Sequence, residues 1–189
     1  MTKPSNGFQI HTPEDAPEES RETLNNIAQA YGFVPNILGI AAESPAALKA
    51  YATLNSLFKE QGSFSKTESE IVLLLISAYH GCGYCVAVHS TGAERSGVDA
   101  DTVEALRQGK ELPDPKLQAL AVFTRRMIDT RGWLEESDIQ AFLDAGYSRR
   151  HILDLITALA MKTISNYTNH IADTPLDDAF SKKAWQKAS

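Results

Sequence analysis

The sequence predicts an all-α domain of about eight helices with no sheet. Apolar residues recur at helical spacing in one segment after another, with capping residues before these segments and glycine or proline after them. Strand signals are few along the same stretch. The 189 residues suffice for one domain with a sizeable hydrophobic core. These patterns together favour helices packed on one another over a fold that contains a sheet.

The N-terminal part divides into an arm and a first helix. Residues 1–20 are rich in proline, glutamate, serine and threonine, so we expect a flexible or surface-draped arm. Residues 21–189 are then expected to form a single helical domain. A short amphipathic helix opens it, with apolar positions at Leu24, Ile27, Ala28 and Tyr31. Pro35 disfavours helical geometry in the residue before it, which predicts a turn over residues 33–38.

Two clearly marked helices precede the cysteines. Ser44 is a preferred N-cap residue and Pro45 suits the first helical position, which predicts a helix that stops at Gly62. Ser65 and Glu68 have the spacing of a capping box, which opens the next helix. The apolar positions of that helix are Ile71, Leu74, Leu75 and Ala78.

Five further helices complete the prediction. Gly81 and Gly83 interrupt the helical pattern, and a new helix is expected to begin at Tyr84 or Cys85 and to run to Ser96. Three of the remaining four are marked by the capping residues Asp99, Asp114 and Ser148. The four helices are expected from Asp99, from Asp114–Pro115, over Glu135–Ala145, and from Ser148 to about His170.

The composition argues against nucleic acid and membranes as partners. Twenty-four acidic residues against eighteen basic ones give a net charge of −6, whereas phosphate binding requires a basic surface. The longest apolar run, Ile71 to Ala78, is far shorter than the roughly 20 residues that cross a bilayer. The N-terminus has no apolar segment followed by a cleavage site, so we expect a cytoplasmic protein in a reducing environment.

The chain has only two cysteines, Cys82 and Cys85, and they lie three residues apart. In a reducing compartment such a pair is typical of a catalytic or metal-binding site rather than of a structural disulfide. Cys85 and His89 are four residues apart and project from the same face of one helix, with Cys82 at or just before its start. Glu70 lies in the preceding helix. If the two helices pack antiparallel, Glu70 can face His89 or Cys85.

These residue types suit thiol redox chemistry. A free thiol has a pKa near 8.5, and a helix N-terminus stabilises the reactive thiolate. A shift of about 1.5 units would make half of the thiol reactive at neutral pH. His89 can carry protons in this range, and Glu70 can orient it or act as a base. One cysteine can capture the other, once oxidised, as a disulfide, and the group requires neither a cofactor nor a metal.

The pattern Glu-x11-Cys-x2-Cys-x3-His, on adjoining helices from Glu70 to His89, resembles the AhpD-like alkylhydroperoxidases of the carboxymuconolactone decarboxylase superfamily. Residues 33–38 and 169–176 resemble the peroxidase-related subgroup, so that the resemblance spans nearly the whole chain. The resemblance implies a small hydroperoxide as substrate and an external thiol or dithiol as electron donor. It also implies a homo-oligomer, usually a trimer or a hexamer.

The resemblance further implies a role for each residue of the motif. Cys85 attacks the peroxide, Cys82 resolves the oxidised Cys85, and Glu70 and His89 form the proton relay. Tyr84 stands where the best-studied hydroperoxidases of the family have a histidine. Because a phenol has a pKa near 10, it is a poorer proton carrier near neutrality. Tyr84 is therefore expected either to hydrogen-bond across the site or to pack.

Other interpretations stay open at this point. The cysteines could be inert buried thiols, or Cys82, Cys85, His89 and Glu70 could bind zinc. The protein could instead be a non-catalytic redox-sensing or binding protein, or a lactone-acid decarboxylase of the same superfamily, although decarboxylases generally lack the cysteine pair. Asn169 and His170, at the end of the last helix, either cap that helix or have a place in the site, with His170 as a secondary residue.

Overall fold

The computed structural model describes residue 4 and residues 6–187 of the chain. These residues form nine α-helices and no strand, and eight of the helices have nine residues or more. The predicted all-α class with about eight helices is confirmed. The helices are α1 (Glu18–Tyr31), α2 (Asn36–Ala41), α3 (Pro45–Ser56), α4 (Lys66–Tyr79), α5 (Gly83–Arg95), α6 (Ala100–Gln108), α7 (Pro115–Asp129), α8 (Glu136–Asp144) and α9 (Arg149–Ala172). A π-helical turn (Leu57–Gln61) follows α3, and a 3₁₀-helical turn (Asp178–Lys183) follows α9.

The N-terminal segment lies against the helical domain where it is described. Residues 1–3 and 5 of the predicted arm are outside the described residues. Further along, the backbone N–H of His11 donates to the carbonyl of Gly39 over 3.1 Å. A Cβ atom at position 39 would lie 2.8 Å from the carbonyl oxygen of His11, so this approach requires glycine. α1 begins at Glu18, which is inside the predicted arm.

A short helix, α2, occupies part of the segment for which the sequence predicts a turn. Pro35 is its N-cap residue, which suits proline because the position needs no N–H donor inside the helix. The backbone N–H of Asn36 donates to the carboxylate of Asp177 at 3.2 Å, across 141 residues of sequence. The prediction of a turn was therefore wrong for residues 36–38, because a distant residue supplies the acceptor that the start of the helix requires.

The predicted N-caps of three helices are confirmed. Ser44, Asp99 and Asp114 each accept a hydrogen bond from the backbone N–H three residues later, at 3.3, 2.8 and 2.9 Å. Ser65 and Glu68 form the predicted capping box at the start of α4. Local sequence therefore determines where most of these helices begin.

α4 is the central helix of the domain. Every residue from Ser69 to Ser77 is buried, and α5, α6, α7 and α9 pack around the helix. The loop between α4 and α5 is only three residues long, so the two helices form a hairpin. Glu70 lies within this buried stretch, and a buried carboxylate must find hydrogen-bond partners because its desolvation is costly.

The apolar core has two parts, and the cysteines belong to the smaller one. The larger part surrounds α4, whereas the smaller part joins α1, α2 and α3 to Cys82, Tyr84 and Cys85. α9 packs against α2, α3, α4 and α5 and therefore lies beside both parts. Within the described residues no helix, including the 24-residue α9, is long and apolar enough to span a membrane.

Candidate active site

Cys82 and Cys85 lie at the start of α5. Cys82 is the N-cap residue and Gly83 is the first helical residue, so the helix starts one or two residues earlier than predicted. The sulfur of Cys82 accepts a hydrogen bond from the backbone N–H of Cys85 at 3.4 Å. Both are free thiols, with 1% and 3% of their surface exposed. Because this amide of the first turn contacts the sulfur of Cys82, stabilisation of a Cys85 thiolate has to come from other groups.

Glu70 faces His89 across the α4–α5 hairpin. Its Oε2 atom lies 3.2 Å from Nδ1 of His89, and both side chains are buried. Lys59, from the π-helical turn, donates to the other carboxylate oxygen at 2.6 Å. A Cβ atom at Gly92 would lie 2.6 Å from Oε2, so glycine at this position leaves room for the carboxylate. Antiparallel packing of the two helices thus brings together the residues that the motif spacing pairs.

Burial and neighbouring charges keep Glu70 ionised and His89 neutral. Burial alone would raise the pKa of Glu70, but the hydrogen bond and charge of His89 and the ammonium of Lys59 lower it to about 2. Burial and the ammonium of Lys162 lower the pKa of His89 to about 4, against the opposing effect of Glu70. Near neutral pH, His89 therefore donates its Nδ1–H to Glu70 and presents Nε2 as an acceptor.

Two residues of α9 complete the site: Lys162, which the sequence did not indicate, and Asn169, for which a place in the site was left open. Lys162 is 1% exposed, and its Nζ atom lies 2.9 Å from Nε2 of His89. Asn169 donates from its side-chain amide to the sulfur of Cys85 at 3.2 Å and to that of Cys82 at 3.7 Å. A cation and an amide donor from a distant helix therefore converge on the cysteine pair.

The pattern of α9 contains a signal that could have identified these residues. The buried residues of the helix are Leu155, Ala158, Met161, Lys162, Ser165, Asn166, Asn169 and Ala172. Lysine is almost never fully buried unless it is paired. A lysine that shares the helical stripe of Leu155 and Ala158 therefore predicts a buried anion or acceptor near the middle of α9.

The pKa values of the two thiols are shifted in opposite directions. Burial alone would raise the pKa of Cys85, but the hydrogen bond from Cys82, the charge of Lys162 and the amide of Asn169 lower it to about 6. The hydrogen bond with Cys85 raises the pKa of Cys82, and burial adds to this effect. The backbone amide on Cys82 favours the opposite order, and the ammonium of Lys162 lowers the pKa of both thiols, but the side-chain amide of Asn169 lies closer to the sulfur of Cys85 than to that of Cys82. Cys85 is therefore the thiolate of the pair.

Tyr84 connects three parts of the fold beside the cysteines. Its hydroxyl donates to the carboxylate of Asp177 and lies 3.5 Å from the backbone N–H of Ile37. Burial and the charge of Asp177 raise the pKa of Tyr84 above its ordinary value. A phenol with so high a pKa stays protonated near neutral pH. Tyr84 thus makes the hydrogen bond across the site that the sequence analysis left open, joining α5 to α2 and to the segment after α9.

His170 is not brought to the cysteines. It is exposed on α9, whereas the preceding residue, Asn169, is buried. Successive residues of an α-helix differ by roughly 100° around the axis, because one turn takes about 3.6 residues. The two side chains therefore cannot face the same site, and Asn169 is the one that reaches it.

A small cavity reaches Cys85. Its volume is about 50 Å³, and Cys85, His89, Lys162 and Asn169 form its polar part. The rest of the wall is mostly apolar and includes the aromatic rings of Tyr31, Tyr51, Tyr84 and Phe180. A larger open groove of about 970 Å³ lies between α4, α6 and residues 185–187, and its lining includes none of the predicted site residues. The small cavity is therefore the one that can bring a reactant to a thiol.

The described residues do not support the zinc alternative. Over residue 4 and residues 6–187, no group of three or more His, Cys, Asp and Glu side chains is arranged to hold a metal ion. Glu70 and His89 contact each other, and their remaining polar atoms contact Lys59 and Lys162. Their potential donor atoms are thus engaged in a hydrogen-bonded chain.

The fold and the site define a class of protein: an all-α domain with a Cys-x2-Cys dithiol on a helical hairpin. Residues 45–125 match the Carboxymuconolactone decarboxylase family. Solved structures with the same fold include AhpD-like peroxidase-related proteins. The family match over this part of the chain and the shared fold support the resemblance inferred from the motif. No sequence among the curated proteins is significantly similar to the chain.

Several solved structures share the fold over nearly the whole chain. An uncharacterized peroxidase-related protein from Ralstonia eutropha JMP134, described as an alkylhydroperoxidase AhpD core, is 19% identical, with a TM-score of 0.81 and coverage of 95% of each chain. An uncharacterized peroxidase-related protein from Silicibacter sp. TM1040 is 20% identical, with a TM-score of 0.78 and coverage of 95% of this chain and 97% of that one. The debrominase Bmp8, in complex with 2,3,4-tribromopyrrole, is 18% identical, with a TM-score of 0.72 and coverage of 97% and 95%.

Proposed function

We propose that this protein is a thiol-dependent peroxidase, or disulfide oxidoreductase, that reduces alkyl hydroperoxides through the Cys82–Cys85 dithiol. The observation that carries the proposal is the surroundings of the Cys85 sulfur. It lies at the polar end of a cavity, receives a hydrogen bond from Asn169 at 3.2 Å, and has a pKa lowered to about 6. A buried thiol held as a thiolate at neutral pH is a nucleophile with access to a small reactant.

The chemistry runs in three steps. The Cys85 thiolate attacks the terminal oxygen of the hydroperoxide, so that an S–O bond forms, the O–O bond breaks and the alkoxide leaves as an alcohol after taking a proton. The Cys82 thiol then attacks the sulfenic acid of Cys85, which forms the disulfide and releases water. An external thiol or dithiol donor finally reduces the disulfide. Glu70 and His89 belong to the proton relay around Cys85, and no cofactor is required.

Peroxide turnover and the disulfide test this function directly. Purified protein with dithiothreitol should consume cumene hydroperoxide, and Cys85→Ser should abolish the consumption. After one equivalent of peroxide without reductant, mass spectrometry should find a Cys82–Cys85 disulfide as a loss of two hydrogen atoms. Equal consumption by wild type and Cys85→Ser would rule out the mechanism.

Cys82→Ser is the matched variant, because it removes the resolving thiol and leaves the attacking one. It should stop at a sulfenic acid on Cys85, which dimedone traps, and it should not turn over with dithiothreitol at the wild-type rate. A wild-type protein that forms neither the disulfide nor the sulfenic acid would favour a binding role, whereas a disulfide that forms without catalytic turnover would favour redox sensing. Lactone-acid decarboxylation, the other superfamily activity, would proceed without the dithiol and would survive Cys85→Ser.

Reductive dehalogenation of an aromatic ring is a second candidate, favoured by the aromatic lining of the cavity. Tyr31, Tyr51 and Phe180 line the approach to Cys85. Bmp8, which shares the fold, is a debrominase solved with 2,3,4-tribromopyrrole. In such a reaction the dithiol would supply two electrons: C–Br becomes C–H, bromide leaves and the disulfide forms. Release of bromide from 2,3,4-tribromopyrrole in the same thiol assay would support it, and the absence of bromide would eliminate it.

Self-association is part of the proposal, with a trimer or hexamer as the assembly expected from the family. α9 exposes Leu153, Ile156, Tyr167 and Ile171 to solvent. Their positions along one helix give an exposed apolar face that a second copy of the chain can cover. Light scattering after size exclusion should give the mass of a trimer or hexamer, and Ile156→Glu should reduce it. A monomeric wild type would contradict this part of the proposal.

We also propose a cytoplasmic location, because a reducing compartment keeps the thiols of the dithiol available.

A further inference from the structure

Lys162 lies next to the Glu70–His89 pair and lines the same small cavity as Cys85. Its Nζ atom lies 2.9 Å from Nε2 of His89, and its positive charge lowers the pKa of the Cys85 thiol. His89 contacts Glu70 through its other nitrogen. A hydrogen-bonded chain therefore runs from Lys59 through Glu70 and His89 to Lys162, and it ends at the cavity that holds Cys85.

The charges of these residues balance when Cys85 is an anion. Lys59 and Glu70 form an ion pair of 2.6 Å, and His89 is neutral near pH 7. The ammonium of Lys162 is 1% exposed, and an isolated buried charge is costly. Among the described residues that line the cavity with it, Cys85 is the group that can supply the compensating negative charge.

We propose that Lys162 is a catalytic residue: it is the counter-ion of the Cys85 thiolate and the proton donor to the alkoxide that leaves during peroxide cleavage. The inference deepens the proposed function and rests on it. Glu70 and His89 are then positioning residues, because they hold the Lys162 amine through the Nε2 acceptor. The proton therefore comes from Lys162, which is 77 residues after Cys85 in the sequence, rather than directly from His89.

The protons balance over one catalytic cycle. As the S–O bond forms and the O–O bond breaks, the alkoxide takes a proton from the Lys162 ammonium and leaves as the alcohol. The Cys82 thiol condenses with the sulfenic acid and releases water, so that this step needs no further proton. When an external dithiol reduces the disulfide, the regenerated Cys85 thiol transfers its proton to the Lys162 amine. The thiolate and the ammonium are thereby restored together.

Several titratable groups face Lys162 and Cys85, and they contribute to any pH dependence measured at Cys85. Cys82 and His89 face Cys85 and Lys162 from α5, and at the end of α4 burial, together with the charge of Lys162, lowers the pKa of His80. Tyr51 faces Cys85 from α3, and burial raises its pKa, so it stays neutral. Glu70 is ionised throughout the neutral range. His89 stays neutral above its pKa of about 4. The interaction between Lys162 and Cys85 therefore governs the titration of Cys85 near pH 6.

Alkylation of Cys85 by iodoacetamide as a function of pH, read by mass spectrometry of the Cys85 peptide, tests the counter-ion role without peroxide. Lys162→Met should slow alkylation below neutral pH by about tenfold for each unit by which the pKa of Cys85 rises. Lys49→Met, the same substitution at an exposed position of α3, should leave the profile unchanged. His89→Asn should raise the pKa of Cys85 less than Lys162→Met does.

Lys162→Arg separates charge from proton donation, because the guanidinium stays charged but does not give up a proton. It should keep fast alkylation of Cys85 yet slow single-turnover cleavage of cumene hydroperoxide. A folded Lys162→Met protein with the wild-type alkylation profile would overturn the inference. So would a Lys162→Arg protein that cleaves peroxide at the wild-type rate. If wild type cleaves no peroxide while Lys162→Met still raises the pKa of Cys85, the proposed function fails and the counter-ion role is supported.

Discussion

The Oε2 atom of Glu70 lies 3.2 Å from Nδ1 of His89, inside a hairpin whose two helices bury both side chains. Because this hydrogen bond fixes which imidazole nitrogen carries the proton, it also fixes which nitrogen faces Lys162. In the proposed mechanism, Glu70 and His89 act on Cys85 by orienting the Lys162 ammonium. Changes that move the carboxylate should reach the thiol through this chain of contacts.

Gly92→Ala should impair thiol activation without destabilising the helix. The added methyl group would lie 2.6 Å from Oε2 and 2.9 Å from the carboxyl carbon of Glu70, so the carboxylate has to shift away from His89. Alanine itself favours a helix interior over glycine by about 1 kcal/mol. Thiol titration by alkylation should show a raised pKa of Cys85, while the unfolding midpoint changes little.

Thr91→Ala is the control for this substitution. The Thr91 hydroxyl donates to the Ala87 carbonyl within the same helix, so that its loss should leave the pKa of Cys85 as in wild type. If Gly92→Ala keeps the wild-type pKa of Cys85, the hydrogen bond between Glu70 and His89 does not contribute to activation.

Acidification should reduce stability in two windows. The pKa of His89 is about 4 in the folded protein and 6.5 in the unfolded chain. Its contribution to the free energy of unfolding is therefore complete above pH 6.5 and is lost as pH falls through 4. The pKa of Glu70 is about 2 against 4.5, so its contribution is lost between pH 4.5 and 2. For His89 the loss is on the order of 3 kcal/mol. Urea denaturation at a series of pH values measures it.

His89→Asn should flatten the stability profile between pH 6.5 and 4, because the variant has no imidazole to protonate. Its stability near neutral pH should be lower than that of wild type, since Lys162 loses an acceptor. A His89→Asn protein with the same slope of stability against pH as wild type would show that other groups control this window.

Tyr84→Phe should loosen the segment after α9 and leave the thiol unchanged. It removes the hydroxyl that donates to the half-buried carboxylate of Asp177, at a cost of about 1–2 kcal/mol. Hydrogen exchange should increase at residues 173–183 and at the start of α2. Tyr79→Phe, which removes a hydroxyl–carboxylate contact with Asp129 at the surface, should cost less. A shift of the Cys85 alkylation profile in Tyr84→Phe would instead indicate a proton-carrying role.

Asn169→Leu and His170→Ala form a pair of neighbouring variants with opposite expectations. Asn169→Leu removes the amide that donates to the sulfur of Cys85 at 3.2 Å, so the pKa of Cys85 should rise, though less than on loss of the Lys162 charge. His170→Ala changes an exposed side chain and should have no effect on alkylation. If His170→Ala changed the alkylation of Cys85 and Asn169→Leu did not, the residues that contact the site would lie on the other face of α9.

The sequence predicts most helix starts because their determinants are local. Ser44, Ser65, Asp99 and Asp114 each accept a hydrogen bond from an amide three residues later, so a short window contains both partners. The start of α2 was not predicted, because the acceptor for its first amide is the carboxylate of Asp177, which is distant in sequence. The Glu70–His89 contact was predictable for a related reason: only three residues join α4 to α5, and so short a loop leaves an antiparallel hairpin as the simple arrangement.

The amino-acid sequence by itself determined the helical class, most of the helix starts, the position of the dithiol at a helix N-terminus and the carboxylate–imidazole pair on the hairpin. Only the tertiary structure shows which groups favour an anion on Cys85, the cysteine that the family resemblance names as the nucleophile. Lys162 and Asn169 reach Cys85 from α9, and helical periodicity shows that they point inward but not what they meet. The partner of an inward face depends on how all the helices pack, because the hydrophobic effect that drives packing has no direction of its own.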